Sequence, residues 1–245
     1  MSRFISFTFL IGLLTFISAC SESTFEEETE AEGYEYYPIA LGSEWIYQVD
    51  SVVYQSGGAE ILTSTSFVKE EITALFEEGD QSYVLTRSSR KSEDSPWLVS
   101  DVYTIERDED RAYRTENNRR FIKLTFPIRD GKTWDGNIYF DAFETVDVFG
   151  NQFPVYEGWE YEMSVEEQPV DVAGQSYSDV ITVNHVDRDD KLSWSKSYEQ
   201  YAKDIGLIYR AHLYLDTNQL QSTEPWEDKA EAGFTLEQRL ISFKK

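Results

Sequence analysis

The sequence predicts an all-β fold, either an antiparallel sandwich or an open, curved barrel built from hairpins and meanders. Aromatic residues are abundant, with 16 Tyr, 15 Phe and 6 Trp, and aromatic side chains favour strands. Stretches of alternating polar and apolar residues are separated by turn residues roughly every eight to twelve positions, which is typical of hairpins. We expect few or no long helices.

The first strand follows Pro38 and Gly42. Trp45, Tyr47 and Val49 occupy alternate positions, which places them on one face of a strand. A hairpin is predicted next, with arms at 67–76 and 81–90.

A second hairpin is predicted over 97–124, with its tip at 107–111, and a loop follows over 126–137. The most regular part, 177–216, predicts a three-stranded meander. The last segment, 233–243, has the composition of a helix, but its alternation of apolar residues favours a closing strand.

The chain begins with a predicted leader over residues 1–19. Arg3 supplies a positive charge, and the apolar stretch 4–16 is too short to span a bilayer of about 30 Å as a helix. Residues 17–20, Ile-Ser-Ala-Cys, resemble the bacterial lipobox. That resemblance implies cleavage between Ala19 and Cys20 and acylation of Cys20. The alternative is an ordinary cleaved leader with an incidental cysteine.

An acidic tether is predicted over residues 20–33, before a β-rich domain over 34–245. The tether carries too few apolar residues to fold alone. Ser21, in place of Asp after the cysteine, implies by the same resemblance delivery to the outer membrane. The acids near the cysteine are either a solvated spacer or, as in similar Bacteroidota surface lipoproteins, an export signal to the cell exterior; they include Glu22, Glu26, Glu27 and Glu28.

Residues 36–47 resemble the start of many small Bacteroidota lipoproteins, which read Y-x-P…G-x-x-W-x-Y. The matching residues here are Tyr36, Pro38, Leu41, Gly42, Trp45 and Tyr47, and the stretch "YAKDIGLIYR" at 201–210 is a second similarity. The resemblance implies an outer-membrane lipoprotein family for which no activity is established. Two similar halves near 34–135 and 136–245, which open with "EWIYQVD" and "GWEYEMS", are a further alternative.

The strong negative charge argues against nucleic acid as a partner. The formal charge is −24, and loss of the leader would remove one basic residue, Arg3, making it −25. Phosphate binding needs a basic surface. Because Cys20 is the only cysteine, a disulfide within the chain is excluded, and contact with the membrane is expected through the lipid.

No catalytic, cofactor or metal motif is present in the sequence. Neither histidine has a partner at metal-ligand spacing. His185 is expected in the core or at an edge of the sheet, and His212 at the surface. The acidic stretches at 130–137 and 187–190 lack the spacing of a calcium loop, and turn chemistry accounts for them. With 46 acidic residues, the sequence cannot select a carboxylate pair for glycoside hydrolysis.

Three functions are therefore ranked. The first is a non-catalytic binding or structural module at the envelope, without a cofactor. The second is a carrier of lipid or another hydrophobic ligand in a half-barrel. The third is a glycan-binding or glycan-degrading surface protein. An apolar cavity inside the sheet would favour the carrier, and exposed Trp and Tyr side chains would favour glycan binding.

The lipobox resemblance generates the first prediction. Cys20→Ala removes the thiol that would carry the lipid, so metabolic labelling with an alkyne fatty acid should be lost and the leader should remain uncleaved. Cys20→Ala protein that still takes up the label would contradict lipidation at this position.

Overall fold

The computed structural model describes residues 33–76 and 82–245. Nearly all of the regular structure is antiparallel strand, and twelve strands form one sheet that curls into a nearly closed barrel. The predicted all-β class is confirmed. Of the two predicted alternatives, the structure takes the curved barrel.

The strands alternate with short turns along the chain. The first six are β1 (Glu44–Gln55), β2 (Glu60–Leu75), β3 (Ser82–Arg90), β4 (Leu98–Arg107), β5 (Arg111–Glu116) and β6 (Arg119–Thr125). The next six are β7 (Thr133–Trp134), β8 (Val146–Val148), β9 (Asn151–Phe153), β10 (Tyr161–Val165), β11 (Val170–Val172) and β12 (Gln175–Tyr177). The last four are β13 (Val180–Asp189), β14 (Ser193–Ala202), β15 (Gly206–Asp216) and β16 (Ala232–Lys244).

Helical structure is minor in the described part of the chain. It consists of α1 (Trp226–Lys229) and two 3₁₀ turns, Tyr34–Tyr36 and Ser56–Gly58. None of the helices in these ranges has the length and apolar character needed to cross a membrane. Two hairpins, β8–β9 and β11–β12, lie outside the large sheet.

The strand order explains how the sheet closes. It runs β6-β5-β4-β3-β2-β1-β16-β15-β14-β13-β10-β7, so β1 and β16 meet in the middle. At the two ends, the Ile122 amide donates to the Gly136 carbonyl at 2.9 Å. The Trp134 indole Nε1 donates to the Ile122 carbonyl at 3.0 Å. These bonds bring β6 against the segment that contains β7.

The barrel interior begins with the predicted aromatic face of β1. Trp45, Tyr47 and Val49 are all buried, as their alternation predicted. Trp45 Nε1 donates to the Ile205 carbonyl at 2.7 Å, and the Tyr47 hydroxyl donates to the Leu207 carbonyl at 3.0 Å. The first strand is thereby tied to the start of β15, although β16 lies between the two strands in the sheet.

Most predicted elements are confirmed, with two corrections. The first is that the predicted loop over 126–137 contains the short strand β7, which pairs with β10. The meander of β13, β14 and β15 is present, β16 is the closing strand, and β2 and β3 form the first hairpin, whose predicted turn at 77–80 lies outside the described residues. The region 97–124 is not one hairpin but three strands. A second turn at Asn117 and Asn118, both with positive φ, starts β6. Asparagine tolerates this left-handed conformation better than most residues.

The leader, the acidic tether up to residue 32 and Cys20 lie outside the described residues, so those predictions stay predictions, as does the similarity of the two halves. Residues 31–245 form one compact unit, which contains all sixteen strands. This range is therefore the unit used in the experiments on the barrel.

Gly233 on β16 generates the second prediction. Its φ is +122°, and a Cβ there would lie 2.0 Å from the Tyr214 carbonyl oxygen on β15. Gly233→Ala should lower the free energy of unfolding by about 3 kcal/mol or more, because strain at positive φ is combined with a backbone clash. Urea unfolding of residues 31–245 measures it.

Gly174→Ala is the matched control. Gly174 also has positive φ, +79°, but a Cβ there meets nothing within 4 Å, so only the conformational cost of about 1 kcal/mol is expected. Equal losses in the two variants would contradict the close approach of β15 and β16 at Gly233.

Candidate functional site

Charged residues occupy inward-facing positions on the strands of the barrel. On β2, Glu70 lies between Val68 and Ile72 on the buried face. On β14, Glu199 lies in the same way between Ser197 and Tyr201. Strand alternation dictates these positions, because residues i and i+2 point to the same face. The carboxylates are therefore held inside the barrel by their own strands.

Basic residues from other strands face these carboxylates. Arg114 on β5 and Lys123 on β6 are only 6% and 5% exposed. Arg210 on β15 is largely buried as well. An unpaired buried charge would be very costly, so the stability of the fold depends on the pairing of these groups.

The charges alternate in sign through the interior. The series, called the ion network below, runs in spatial order through Arg87, Glu70, Arg114, Glu116, Arg210, Glu199 and Lys123. It joins strands from both halves of the sheet across the barrel. Each carboxylate therefore lies between two cations.

At the first end of the ion network, Glu70 accepts two parallel hydrogen bonds from Arg114. Arg114 Nη1 lies 2.8 Å from Glu70 Oε2, and Nη2 lies 2.7 Å from Oε1. Arg87 Nη1 donates to Glu70 Oε1 at 2.5 Å, and Arg114 Nε lies against Glu116. Paired geometry of this kind is the strongest that Arg and carboxylate form.

At the other end, Glu199 is the centre. Lys123 Nζ and Arg210 Nε each donate to Glu199 Oε1 at 2.7 Å. The Tyr201 hydroxyl donates to the other oxygen, Oε2, at 2.6 Å. Both carboxylate oxygens are thus engaged, and Arg210 Nη2 reaches Glu116 Oε1 at 3.4 Å to continue the network.

The network keeps its carboxylates ionised. Burial alone would raise the pKa of Glu70, but Arg114 and Arg87 outweigh it and the pKa lies below its ordinary value. For Glu199, burial is likewise outweighed by Lys123 and Arg210, and its pKa is lowered. These groups are held as ions by their neighbours.

Both histidines lie next to the Lys123 end of the network. His185 is 2% exposed, and its ring stacks on Trp159 with centroids 4.6 Å apart. His212 packs edge-on against the same indole at 5.3 Å. The predicted core position of His185 is confirmed. The predicted exposure of His212 is wrong, because it faces the interior together with Arg210, two residues earlier on the same strand.

Burial keeps both imidazoles neutral. It lowers the pKa of His185 well below its ordinary value. It also lowers that of His212 to about 4, with further lowering by Arg210 and Lys123. The rings line a cavity of about 60 Å³ together with Tyr156, Trp159 and residues of the ion network.

A second cavity, of about 50 Å³, lies at the Glu70 end. Its lining is mostly apolar and aromatic, and includes Tyr37, Trp45 and Leu85 beside Arg114. The two cavities are small because the ion network and aromatic rings fill the space between them.

A surface groove of about 590 Å³ lies on the outer side of Trp159. Trp134 and Trp159 are partly exposed there and flank the buried Tyr161. Tyr161 donates its hydroxyl hydrogen to Asn137 Oδ1 at 2.9 Å, while Asn137 Nδ2 is buried without a partner. Exposed carboxylates at the rim make the groove acidic; they belong to Asp135, Glu160 and Glu162.

The charged groups inside the barrel are held by pairing with one another. Every charge of the ion network is engaged with an opposite charge, so none is presented as an isolated nucleophile or base. Over the described ranges, no three His, Cys, Asp or Glu side chains are grouped so as to hold a metal ion. Asp189 and Asp190 accept backbone N–H groups of their own turn, at 3.0 Å from Lys191 and 2.8 Å from Ser193, in agreement with turn chemistry.

The site residues predicted from sequence lie elsewhere. Ala19, Cys20, Ser21 and the glutamates from Glu22 to Glu28 are outside the described residues. The ion network was not predicted. Its signal was nevertheless present at Glu70, which stands at an apolar-face position of an alternating strand.

Comparisons with known proteins identify no family. No family model matches the chain, and no curated protein matches it. Among solved structures, a candidate exported protein with a YmcC-like fold from Bacteroides fragilis is 11% identical, with a TM-score of 0.37, and the match covers 85% of this chain and 98% of that one.

A candidate outer membrane lipoprotein-sorting domain from Vibrio parahaemolyticus is 12% identical, with a TM-score of 0.22, over 84% of this chain and 86% of that one. Both likenesses are too weak to support a functional inference.

The buried titratable groups generate the third prediction. Folding lowers the pKa of both histidines, so each imidazole is protonated at a higher pH in the unfolded state than in the folded state. The free energy of unfolding therefore falls as the pH drops below 6.5, the ordinary pKa of histidine. The lowered carboxylates add a second loss below their ordinary value of 4.5. The free energy of unfolding of residues 31–245, measured in urea from about pH 8 to pH 4, should therefore fall steadily on the acid side.

His212→Asn is the control for this prediction. It removes one of the two titrating imidazoles, so the pH dependence between about 6.5 and 4 should become shallower. An unchanged slope in this variant would contradict a neutral, buried His212.

Proposed function

We propose that this protein is a non-catalytic binding or structural module, held at the bacterial outer membrane by a lipid on Cys20. The observation that carries the proposal is the ion network, which fills the interior of the barrel with paired charges. The lipobox resemblance and the acidic residues after Cys20 support the anchor and its place in the envelope.

The size of the interior cavities favours a module over a lipid carrier. Burial of an acyl chain gains about 0.8 kcal/mol per methylene only where the chain meets apolar surface. The two cavities measure about 50 and 60 Å³, and residues of the ion network line both of them. An acyl chain entering the barrel would have to displace paired charges.

The pairing of the buried charges favours a non-catalytic role. A general acid or base needs a pKa near the working pH, whereas the pKa values of Glu70 and Glu199 are lowered by neighbouring cations. Tyr201 and Lys123 are committed to Glu199. The network is suited to fixing the strands in place.

Glycan binding is the second candidate, and one observation favours it. The groove between Trp134 and Trp159 combines two partly exposed indoles with exposed carboxylates. Sugars bind through aromatic stacking and such polar groups. Slower migration of residues 31–245 through gels that contain envelope polysaccharides would place glycan binding ahead of a purely structural role.

The fourth prediction tests the module against the carrier. Titration of residues 31–245 with a fluorescent fatty-acid analogue should give a signal that stays linear in ligand, because the interior has no room for an acyl chain. Energy transfer from tryptophan to the analogue reports binding.

Leu85→Ala is the matched variant. Leu85 is 2% exposed and lines the apolar cavity, so its truncation enlarges the space that an acyl chain would use. Saturable binding to the wild type, with an affinity that Leu85→Ala alters, would overturn the proposal in favour of a carrier.

A further inference from the structure

The ion network contains one more cation than carboxylates. Its seven groups alternate in sign and both terminal groups are basic, so four cations face three carboxylates. Arg87, at one end, has a side chain 16% exposed. Lys123, at the other end, has a side chain only 6% exposed. Of the two terminal cations, Lys123 is therefore the more deeply buried.

The cavity of about 60 Å³ lies at this same end. Lys123, His185, His212 and Trp159 all contribute to its lining. Three ring nitrogens of these residues are buried without a hydrogen-bond partner, namely His185 Nε2, His212 Nε2 and Trp159 Nε1. Unpartnered buried polar atoms are rare in folded proteins, and three around one cavity point to a ligand.

The hydrogen bonds around the cavity define which of these nitrogens donate. An indole Nε1 is a donor only. His185 Nδ1 lies 3.0 Å from Ser197 Oγ, and its Nε2 faces Glu199 Oε2 at 3.8 Å. The neutral tautomer with its hydrogen on Nε2 is favoured there, because a lone pair on Nε2 would be repelled by the Glu199 carboxylate. Two donors, Trp159 and His185, therefore accompany the terminal cation.

The nearby carboxylate does not cancel this arrangement. Both oxygens of Glu199 are already engaged, Oε1 by Lys123 and Arg210 and Oε2 by Tyr201. The other acidic group in the lining, Glu116, contacts Arg114 and Arg210. The site can therefore still bind a hydrogen-bond acceptor that carries negative charge.

We propose that this cavity is a binding site for a small monovalent oxyanion of the carboxylate type, held by Lys123 and by the ring N–H groups of Trp159 and His185. The anion balances the charge of the ion network. His212 Nε2 has no hydrogen-bond partner in the described part of the chain, so it can accept a hydrogen bond from a water molecule beside the ligand.

The size of the cavity limits the ligand. A volume of about 60 Å³ corresponds to roughly four to six water-sized spheres. Formate and acetate fit this limit, whereas an aromatic sulfonate does not. Among the described residues, Trp159 is the one lining residue that this cavity shares with the surface groove.

The fifth prediction uses the indole N–H groups as reporters. The whole protein, labelled with ¹⁵N-tryptophan and held in detergent micelles, is titrated with sodium formate at constant ionic strength against sodium benzenesulfonate. The indole resonance of Trp159, assigned by its loss in Trp159→Phe, should shift and saturate with formate. The Trp134 resonance is the internal control, since its Nε1 already donates to Ile122.

The same variant also tests the proposal by affinity. Trp159→Phe keeps a ring against His185 but removes one donor, so formate affinity, followed at the His185 imidazole, should weaken about tenfold, the loss of one hydrogen bond to a charged group. A Trp159 resonance that stays still, or that moves equally with benzenesulfonate, would overturn the proposal and leave a cavity that holds water alone. Unchanged affinity in Trp159→Phe would also overturn it.

Discussion

The buried ion network is the constraint on which the rest of the structure depends. Moving seven charges out of water is costly, and their attraction offsets that cost only when the geometry is good. Here Glu70 lies between Arg87 and Arg114, and Glu199 between Arg210 and Lys123. The strands that carry these groups must therefore keep their register. A slip of one residue would turn a charged side chain outward and leave its partner unpaired.

The same network decides what the barrel can do. A curved sheet with an apolar interior could enclose a hydrophobic ligand, but this interior contains charges, tyrosine hydroxyls and two neutral histidines. Space remains only at the two ends of the network, and the two ends differ. The Glu70 end is bordered by apolar side chains such as Leu85, and the Lys123 end by ring nitrogens. Larger ligands have space only at the outer surface, where Trp134 and Trp159 are partly exposed.

Local pattern was enough to predict the strands but not the site. The alternation of Trp45, Tyr47 and Val49 predicts a buried face from a few neighbouring residues. The turn residues of the final meander likewise predict where its strands begin and end. The ion pairs join positions far apart in the sequence: Glu70 and Arg114 are 44 residues apart, and Lys123 and Glu199 are 76 apart. No local rule selects such partners. His212 was misassigned because its neighbour Arg210 suggested a solvent-facing strand, and the structure turns that face inward.

The most direct measurement of the central claim is a double-mutant cycle on Glu70 and Arg114 in residues 31–245. Glu70→Gln and Arg114→Met are compared singly and together by urea unfolding. Each single variant should cost about 3–5 kcal/mol, because each leaves a buried charge without its partner. The double variant should cost less than the sum of the two, with a coupling of about 1–3 kcal/mol. Costs that simply add would contradict a buried, paired network and with it the account of the barrel interior.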